Sequence, residues 1–256
     1  MNKVGRYEFA ADAFHCDFGH RLFMGHLGNH MLNAADFHSS ERGFGMRYLN
    51  TVNKTWVLSR LSIEMDEMPA EGNRFFVETW VESAMRFFTN RNFRVVSPDG
   101  KVYGYGRSIW AMIDTVTRQP QDILAIRDGE INSWIEREKE CPIGKPSRVK
   151  MGDGAKLEHS FIASYNDIDV NGHLNSVKYI EHVLDLFSLD WYSTHKLSRI
   201  DVAYVAEAHF GDKINLYTDG SDDGQEKNVR IVKTTDDGSE TEVCRAQVRF
   251  IEKDKQ

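Results

Sequence analysis

Cysteine, proline and long apolar runs are all scarce in this chain of 256 residues. Its three cysteines, Cys16, Cys141 and Cys244, lie far apart and form no Cys-x-x-Cys pair. That spacing excludes a disulfide framework and a cysteine zinc knuckle, and makes a reducing, cytoplasmic compartment the default expectation. The longest stretch without a formal charge, Leu22–Ala35, is 14 residues and is broken by Gly, Asn and His. A membrane-spanning helix needs ~20 mostly apolar residues, so no membrane association is expected. The opening MNKVGRYEFAADAF has no apolar core, and no signal peptide is expected. An excess of basic residues is missing too. Lys plus Arg number 32 against 39 Asp plus Glu, a net charge of −7. Nucleic-acid binders usually carry the opposite balance, so no nucleic-acid partner is expected.

What is present is the balance of a folded protein: 41% hydrophobic and 28% charged residues. The chain also reads as a tandem repeat. Gly25-His26-Leu27 and Gly172-His173-Leu174 are each followed by a helical pattern. After His173, Val177, Ile180, Leu184 and Phe187 recur at spacings of three and four, with Asn175 placed to cap. After His26, the stripe is Leu27, Met31, Ala34 and Ala35. Strand-like tracts follow both helices, and Pro98-Asp99-Gly100 and Asp236-Asp237-Gly238 both read as hairpin turns. The offset between halves is 147 residues at the Gly-His-Leu and 138 at these turns. Each half is thus predicted to be α+β: a lead strand, one long helix and an antiparallel meander that buries the helical stripe. The expected boundaries are 1–126 for the first repeat, 127–158 for a polar connector holding Pro142 and Pro146, and 159–256 for the second.

Functional groups are densest at Asp167–Tyr179. Asp167, Asp169, Asn171 and His173 are spaced by two, so an extended chain would turn all four side chains to one face. Gly172 then turns the chain into a helix, whose first backbone N–H groups can polarise a carbonyl. Carboxylate, amide and imidazole beside such donors suit hydrolysis, and equally suit a polar capped loop with a structural His. His15, Cys16, Asp17 and His20 resemble metal ligands, but in a strand Cys16 would point away from its neighbours. His26 and His30 lack the Glu of a zincin motif, so no metal is expected.

Asp-x-Asn-x-His-x-Asn before a helix resembles the signature of hotdog-fold thioesterases. DIDVNGHLNSVKYIEHVLD, together with TWVLSRLSIEMDEMPAEGNRFFVETWVES and SIWAMIDTVTRQP, resembles the acyl-ACP thioesterases of plants and bacteria. The likeness runs in order from about Tyr7 to Phe250. It implies a tandem (double) hotdog fold, with each half an antiparallel sheet wrapped around one long helix. It implies hydrolysis of fatty acyl-ACP to free fatty acid and holo-ACP without a cofactor, with phosphopantetheine-bearing acyl carrier protein as partner. The family's catalytic Asp, Asn, His and Glu correspond to Asp169, Asn171, His173 and Glu207. Where many plant members carry a Cys after that Glu, this chain has Ala208, which removes a thiol nucleophile from the position. Plant members also carry a transit peptide and a hydrophobic segment, and this chain resembles the bacterial organisation. The first repeat would hold much of the acyl pocket, with Met24, Met31, Trp56, Met65 and Met85 as candidate lining.

In the mechanism these residue types allow, Glu207 and His173 activate water, Asn171 orients the water or the base, and the carbonyl sits near Gly172 to Asn175. Asp169 either fixes His173 or itself attacks the carbonyl. Arg86, Arg91 and Arg94, in a run without acids, are candidates for a patch that meets the acidic carrier, as is Lys178. The competing readings are an acyl-CoA thioesterase of the same fold and a non-catalytic acyl-binding protein. A homodimer is compatible with the fold family.

Overall fold

The computed structural model describes residues 2–146, 149–152, 154–221, 223–235 and 238–253. The chain divides into two compact units, Met1–Lys145 and Pro146–Gln256.

In the first unit, β1 (Gly5–Ala10) leads into α1 (Met24–Glu41) and the short α2 (Met46–Thr51). Strands β2 (Lys54–Met65), β3 (Arg74–Ala84), β4 (Phe88–Val96) and β5 (Val102–Asp114) follow. All pairings are antiparallel, in the order β1-β3-β4-β5-β2. Only β3, β4 and β5 form a plain meander, because β2 joins the far side of β5. The expected stripe is realised: Leu27, Met31, Ala34 and Ala35 are all buried on α1. Complete burial of Leu27 and Met31 stabilises the unit by ~1.5–3 kcal/mol each. The Pro98-Asp99-Gly100 turn forms as read. Ser97 N–H donates to the Lys101 carbonyl (2.9 Å), and Gly100 takes φ +94°, which favours glycine.

In the second unit, β6 (Lys156–Ile162) precedes α3 (Ser176–Leu184) and α4 (Leu189–Thr194). Strands β7 (His195–Tyr204), β8 (Lys213–Gly220), β9 (Glu226–Thr234) and β10 (Glu240–Glu252) complete it, in the antiparallel order β7-β10-β9-β8-β6. Asn175 caps α3 as expected, its side chain accepting the Val177 N–H at 3.0 Å. The helix is nine residues, not a long one. It ends before Phe187, whose ring instead packs on Phe250 of β10 with centroids 4.6 Å apart. Asp236 and Asp237 of the other expected hairpin turn lie outside the described residues.

Much of the stretch read as a connector packs into the first unit. Trp80 of β3 is buried with Cys141 and Ile143. Arg107 holds that segment by donating to the Ile143 carbonyl at 3.0 Å and the Cys141 carbonyl at 2.6 Å. In the second unit, β6 opens at Lys156, three residues before the expected start.

The repeat is real, but its register differs from the Gly-His-Leu match. Asp17 Oδ1 accepts the N–H groups of Gly19 (2.8 Å) and Arg21 (3.0 Å), and its own N–H donates to the Arg21 carbonyl (2.8 Å). Asp169 Oδ1 accepts those of Asn171 (2.8 Å) and His173 (3.2 Å), and its N–H donates to the His173 carbonyl (2.8 Å). Each turn is closed by an antiparallel bridge, Cys16 with Leu22 and Ile168 with Leu174. Each then enters a helix at its N-cap, Phe23 or Asn175. The offset here is therefore 152, from Leu22 to Leu174. Gly25 and His26 lie inside α1, whereas Gly172 and His173 precede α3.

Candidate active site

Residues 167–175 are not extended, so the four alternate side chains do not share a face. Asp167 ends a 3-10 turn capped by Ser164, and its carboxylate lies 3.2 Å from His182 Nε2. Asp169 turns its carboxylate back onto the Asn171 and His173 amides, as an Asx-type turn does. Gly172 takes φ +81°, which reverses the chain at little steric cost. Asn171 stands exposed at the tip of the loop.

His173 and Glu207 do come together. Leu174 N–H donates to the Ala208 carbonyl at 2.7 Å, and His173 forms an antiparallel bridge with His209. This backbone join places His173 Nε2 3.4 Å from Glu207 Oε2, with both side chains roughly a third exposed. It also sets the His209 ring edge-on to His173, centroids 5.1 Å apart. Lys233 Nζ donates to the Glu207 carbonyl at 2.8 Å and lies 3.7 Å from Asp212 Oδ2, which accepts the His209 N–H at 2.9 Å. His209, Asp212 and Lys233 escaped the sequence reading. Alternation along Glu207-Ala208-His209 was the available signal for His209, whereas Lys233 arrives from β9 and no local pattern marks it. One atom each of His173, Glu207 and His209 lies within 4.8 Å of the others, so this trio could hold a metal ion. An acid–base pair of His173 and Glu207 needs none.

The expected oxyanion donors are corrected. The amides of Gly172, His173, Leu174 and Asn175 are already engaged by the Asp169 carbonyl, the Asp169 carboxylate, Ala208 and Asp167 respectively. The Asn175 side chain is spent on its cap. Ser176 N–H, at the start of α3, has no partner among the described residues.

Arg91 does not belong to a surface patch. It is 6% exposed and donates to Thr79 Oγ1 (3.1 Å) and Ser39 Oγ (3.0 Å). β4 turns it inward because alternate residues of the strand face the buried side of the sheet. Arg86 is exposed and lies 3.2 Å from Asp122, Arg94 pairs with Glu78, and Lys178 pairs with Glu181. Of the candidate pocket residues, Met24, Met31 and Met65 are core and Met85 is exposed, while Trp56 lines a cavity inside the first unit.

Across the repeat, Asp17 matches Asp169, but Gly19 stands for Asn171 and Arg21 for His173. Leu22 N–H donates to Pro69 and Arg21 bridges Ala70, as Leu174 and His173 do with Ala208 and His209. Met68 is thus the counterpart of Glu207. A turn kept in both halves, with the His173–Glu207 contact in one and Arg21 and Met68 at the matching places in the other, is the arrangement of a tandem hotdog protein whose two halves have diverged at this point. Residues 2–126 match the acyl-ACP thioesterase N-terminal domain and residues 152–252 the C-terminal domain. The chain belongs to the acyl-ACP thioesterase family. An acyl-ACP thioesterase of Bacteroides thetaiotaomicron is 49% identical, with TM-score 0.90 over 98% of both chains. The 12:0-ACP thioesterase of Umbellularia californica shares the fold, with TM-score 0.81 and 22% identity over 99% of both chains. The palmitoyl-acyl carrier protein thioesterase of Gossypium hirsutum is 26% identical over 209 residues, 77% of this chain and 50% of that protein. The chain spans about half the length of the curated plant relatives it matches. Among the described residues, no helix is long and apolar enough to cross a membrane.

Proposed function

We propose that the protein hydrolyses the thioester of fatty acyl-ACP, giving free fatty acid and holo-ACP. The observation that carries this reading is the contact of 3.4 Å between His173 Nε2 and Glu207 Oε2, built by the join of Leu174 to Ala208. Water held beside the pair gives a proton to it, and the hydroxide oxygen bonds to the thioester carbon. The C–S bond then breaks, its electron pair leaves on sulfur, and the proton returns to the thiolate. Proton transfer of this kind contributes ~10²–10⁴-fold. The Ser176 N–H and the Asn171 side-chain amide are the donors we assign to the developing oxyanion. Asp169 is assigned as a positioning residue. Its carboxylate is occupied by two amides, and Asp17 does the same in the half where Arg21 and Met68 stand in place of His173 and Glu207. Family membership and the likeness to the Bacteroides thetaiotaomicron acyl-ACP thioesterase support acyl-ACP as the carrier. A cytoplasmic location is part of the same proposal.

The test is thiol release from a panel of acyl-ACPs and acyl-CoAs of varied chain length by wild type, His173→Ala and Glu207→Ala. Each variant is expected to lose at least ~10²-fold in kcat with an unchanged circular dichroism spectrum. Near wild-type turnover in both variants would remove the pair from the mechanism. Equal, salt-insensitive activity on both carriers would favour CoA.

A further inference from the structure

The cavity in the first unit encloses about 90 Å³. Its walls include the apolar side chains Leu32, Phe44, Trp56 and Trp110, and its polar groups are unusual for such a place. Arg91 is buried there, and both of its hydrogen-bond partners, Thr79 and Ser39, are neutral hydroxyls. Among the described residues no carboxylate comes within 4.0 Å of its guanidinium, and only two of its five N–H groups are used. Burial lowers it to about 10, which leaves it cationic at neutral pH. A buried charge without a counter-charge is costly unless a ligand supplies one.

Three further groups along this cavity are buried without a partner: Trp134 Nε1, Arg42 Nε and His38 Nδ1. The first two are donors. His38 donates through Nε2 to the Lys3 carbonyl at 3.0 Å, and burial pushes it down to about 3, so Nδ1 is a free acceptor. Asp36, the carboxylate along the cavity, is exposed to water. Arg42 already has a counter-charge in Glu41, at 3.1 Å. Among the described residues Arg91 therefore has no direct ion pair, and the exposed Asp36 carboxylate acts on its charge only from a distance. Apolar walls around donors and one acceptor match a molecule with an aliphatic body and a terminal oxygen.

We propose that this cavity binds the oxygen-bearing end of an aliphatic chain, and that Arg91 recognises the oxygen. An ionised carboxylate is the best match, because it neutralises Arg91 and suits the planar fork of a guanidinium. A hydroxyl is the next, since it can accept from Arg91 or Trp134 and donate to His38 Nδ1. The end can come from the oxygenated tail of a substrate acyl group, a source that rests on the proposed thioester hydrolysis, or from a free carboxylic acid.

The test has a binding arm and a kinetic arm. Trp56, Trp110 and Trp134 line the cavity, so intrinsic fluorescence of the full chain reports occupancy. Hexanoate, 1-hexanol and hexylamine are titrated at pH 7. Hexanoate is expected to bind about tenfold tighter than 1-hexanol, with no binding by hexylammonium. Arg91→Leu should lose about tenfold for hexanoate and little for 1-hexanol, while Arg91→Lys should keep the order with weaker binding. Equal affinity for the three probes in wild type would overturn the proposal, and that result needs no variant to fold. An unchanged order in a folded Arg91→Leu would overturn the role of Arg91. In the kinetic arm, ω-hydroxy and ω-carboxy acyl-ACPs are compared with unsubstituted chains of equal length. A preference in kcat/KM that Arg91→Leu abolishes assigns the acyl tail as occupant. Binding without kinetic preference assigns a free carboxylic acid. No hydrolysis of any thioester would sink the functional reading and leave the binding result intact.

Discussion

Replacing Asp169 separates two chemical roles that the sequence left open. If the carboxylate holds the turn, Asp169→Asn should keep most of its effect, because Oδ1 of Asn can still accept the Asn171 and His173 amides. Asp169→Ala removes both hydrogen bonds. A net ~1 kcal/mol each, somewhat more for a charged acceptor and less where water can enter a half-exposed turn, gives a loss of ~1.5–3 kcal/mol. At ~2–4 °C per kcal/mol for a chain of this size, Tm should fall by ~3–12 °C. The same loss is expected for Asp17→Ala, whose two bonds have nearly the same lengths. The assays are thermal unfolding by circular dichroism and thiol release from acyl-ACP. Asp169→Asn is expected to stay within about tenfold of wild-type kcat. Asp169→Ala should lose more as the His173 backbone relaxes, and Asp17→Ala should leave kcat close to normal. A fall of ~10³-fold or more in kcat for Asp169→Asn, with native Tm and unchanged KM, would refute this reasoning and make the carboxylate the nucleophile.

Arg86→Glu should raise KM for acyl-ACP more than for a short thioester, and salt should mimic it in wild type, since exposed charges are screened over ~10 Å at 0.1 M. An equal effect on both substrates would move the carrier-docking patch elsewhere. Arg91→Glu should instead lower stability by ~1–3 kcal/mol, by losing two hydrogen bonds and burying a carboxylate; a native Tm would contradict the buried placement. Replacing Cys16, Cys141 and Cys244 together by Ser or Ala should keep most activity, and iodoacetamide should not inactivate the native protein. Burial pushes all three thiols up, away from the reactive thiolate, and stoichiometric labelling with loss of activity, prevented by substrate, would reverse the assignment. Burial, then nearby Arg91, lowers His38 to about 3, against ~6.5 unfolded, so protonation favours the unfolded chain. Its contribution is fully present above pH ~6.5 and is lost as pH falls toward 3, by up to ~1.4 kcal/mol per pH unit, so His38→Gln should flatten the acid limb of Tm against pH.

The sequence by itself carried the tandem α+β plan, the buried face of α1, the Asn175 cap and the hairpin turn at Gly100. Each of these is a local pattern, a spacing of three and four or a turn residue at its required place. It also singled out His173 and Glu207, the former by a dense motif and the latter only through family resemblance. Their meeting is a tertiary event, since the two lie 34 residues apart and are joined by the backbone contact of Leu174 with Ala208. The repeat register shows the same division. Identical Gly-His-Leu letters suggested an offset of 147, but hydrogen bonding around Asp17 and Asp169 pairs the halves at 152. A backbone motif can keep its geometry while its letters change: His20 adopts φ +57° at the place where Gly172 adopts +81°. Arg91 is the clearest case on the other side. An arginine in a basic strand reads as surface, and only the packing of β4 in its sheet decided that this one lies inside, facing a cavity rather than solvent.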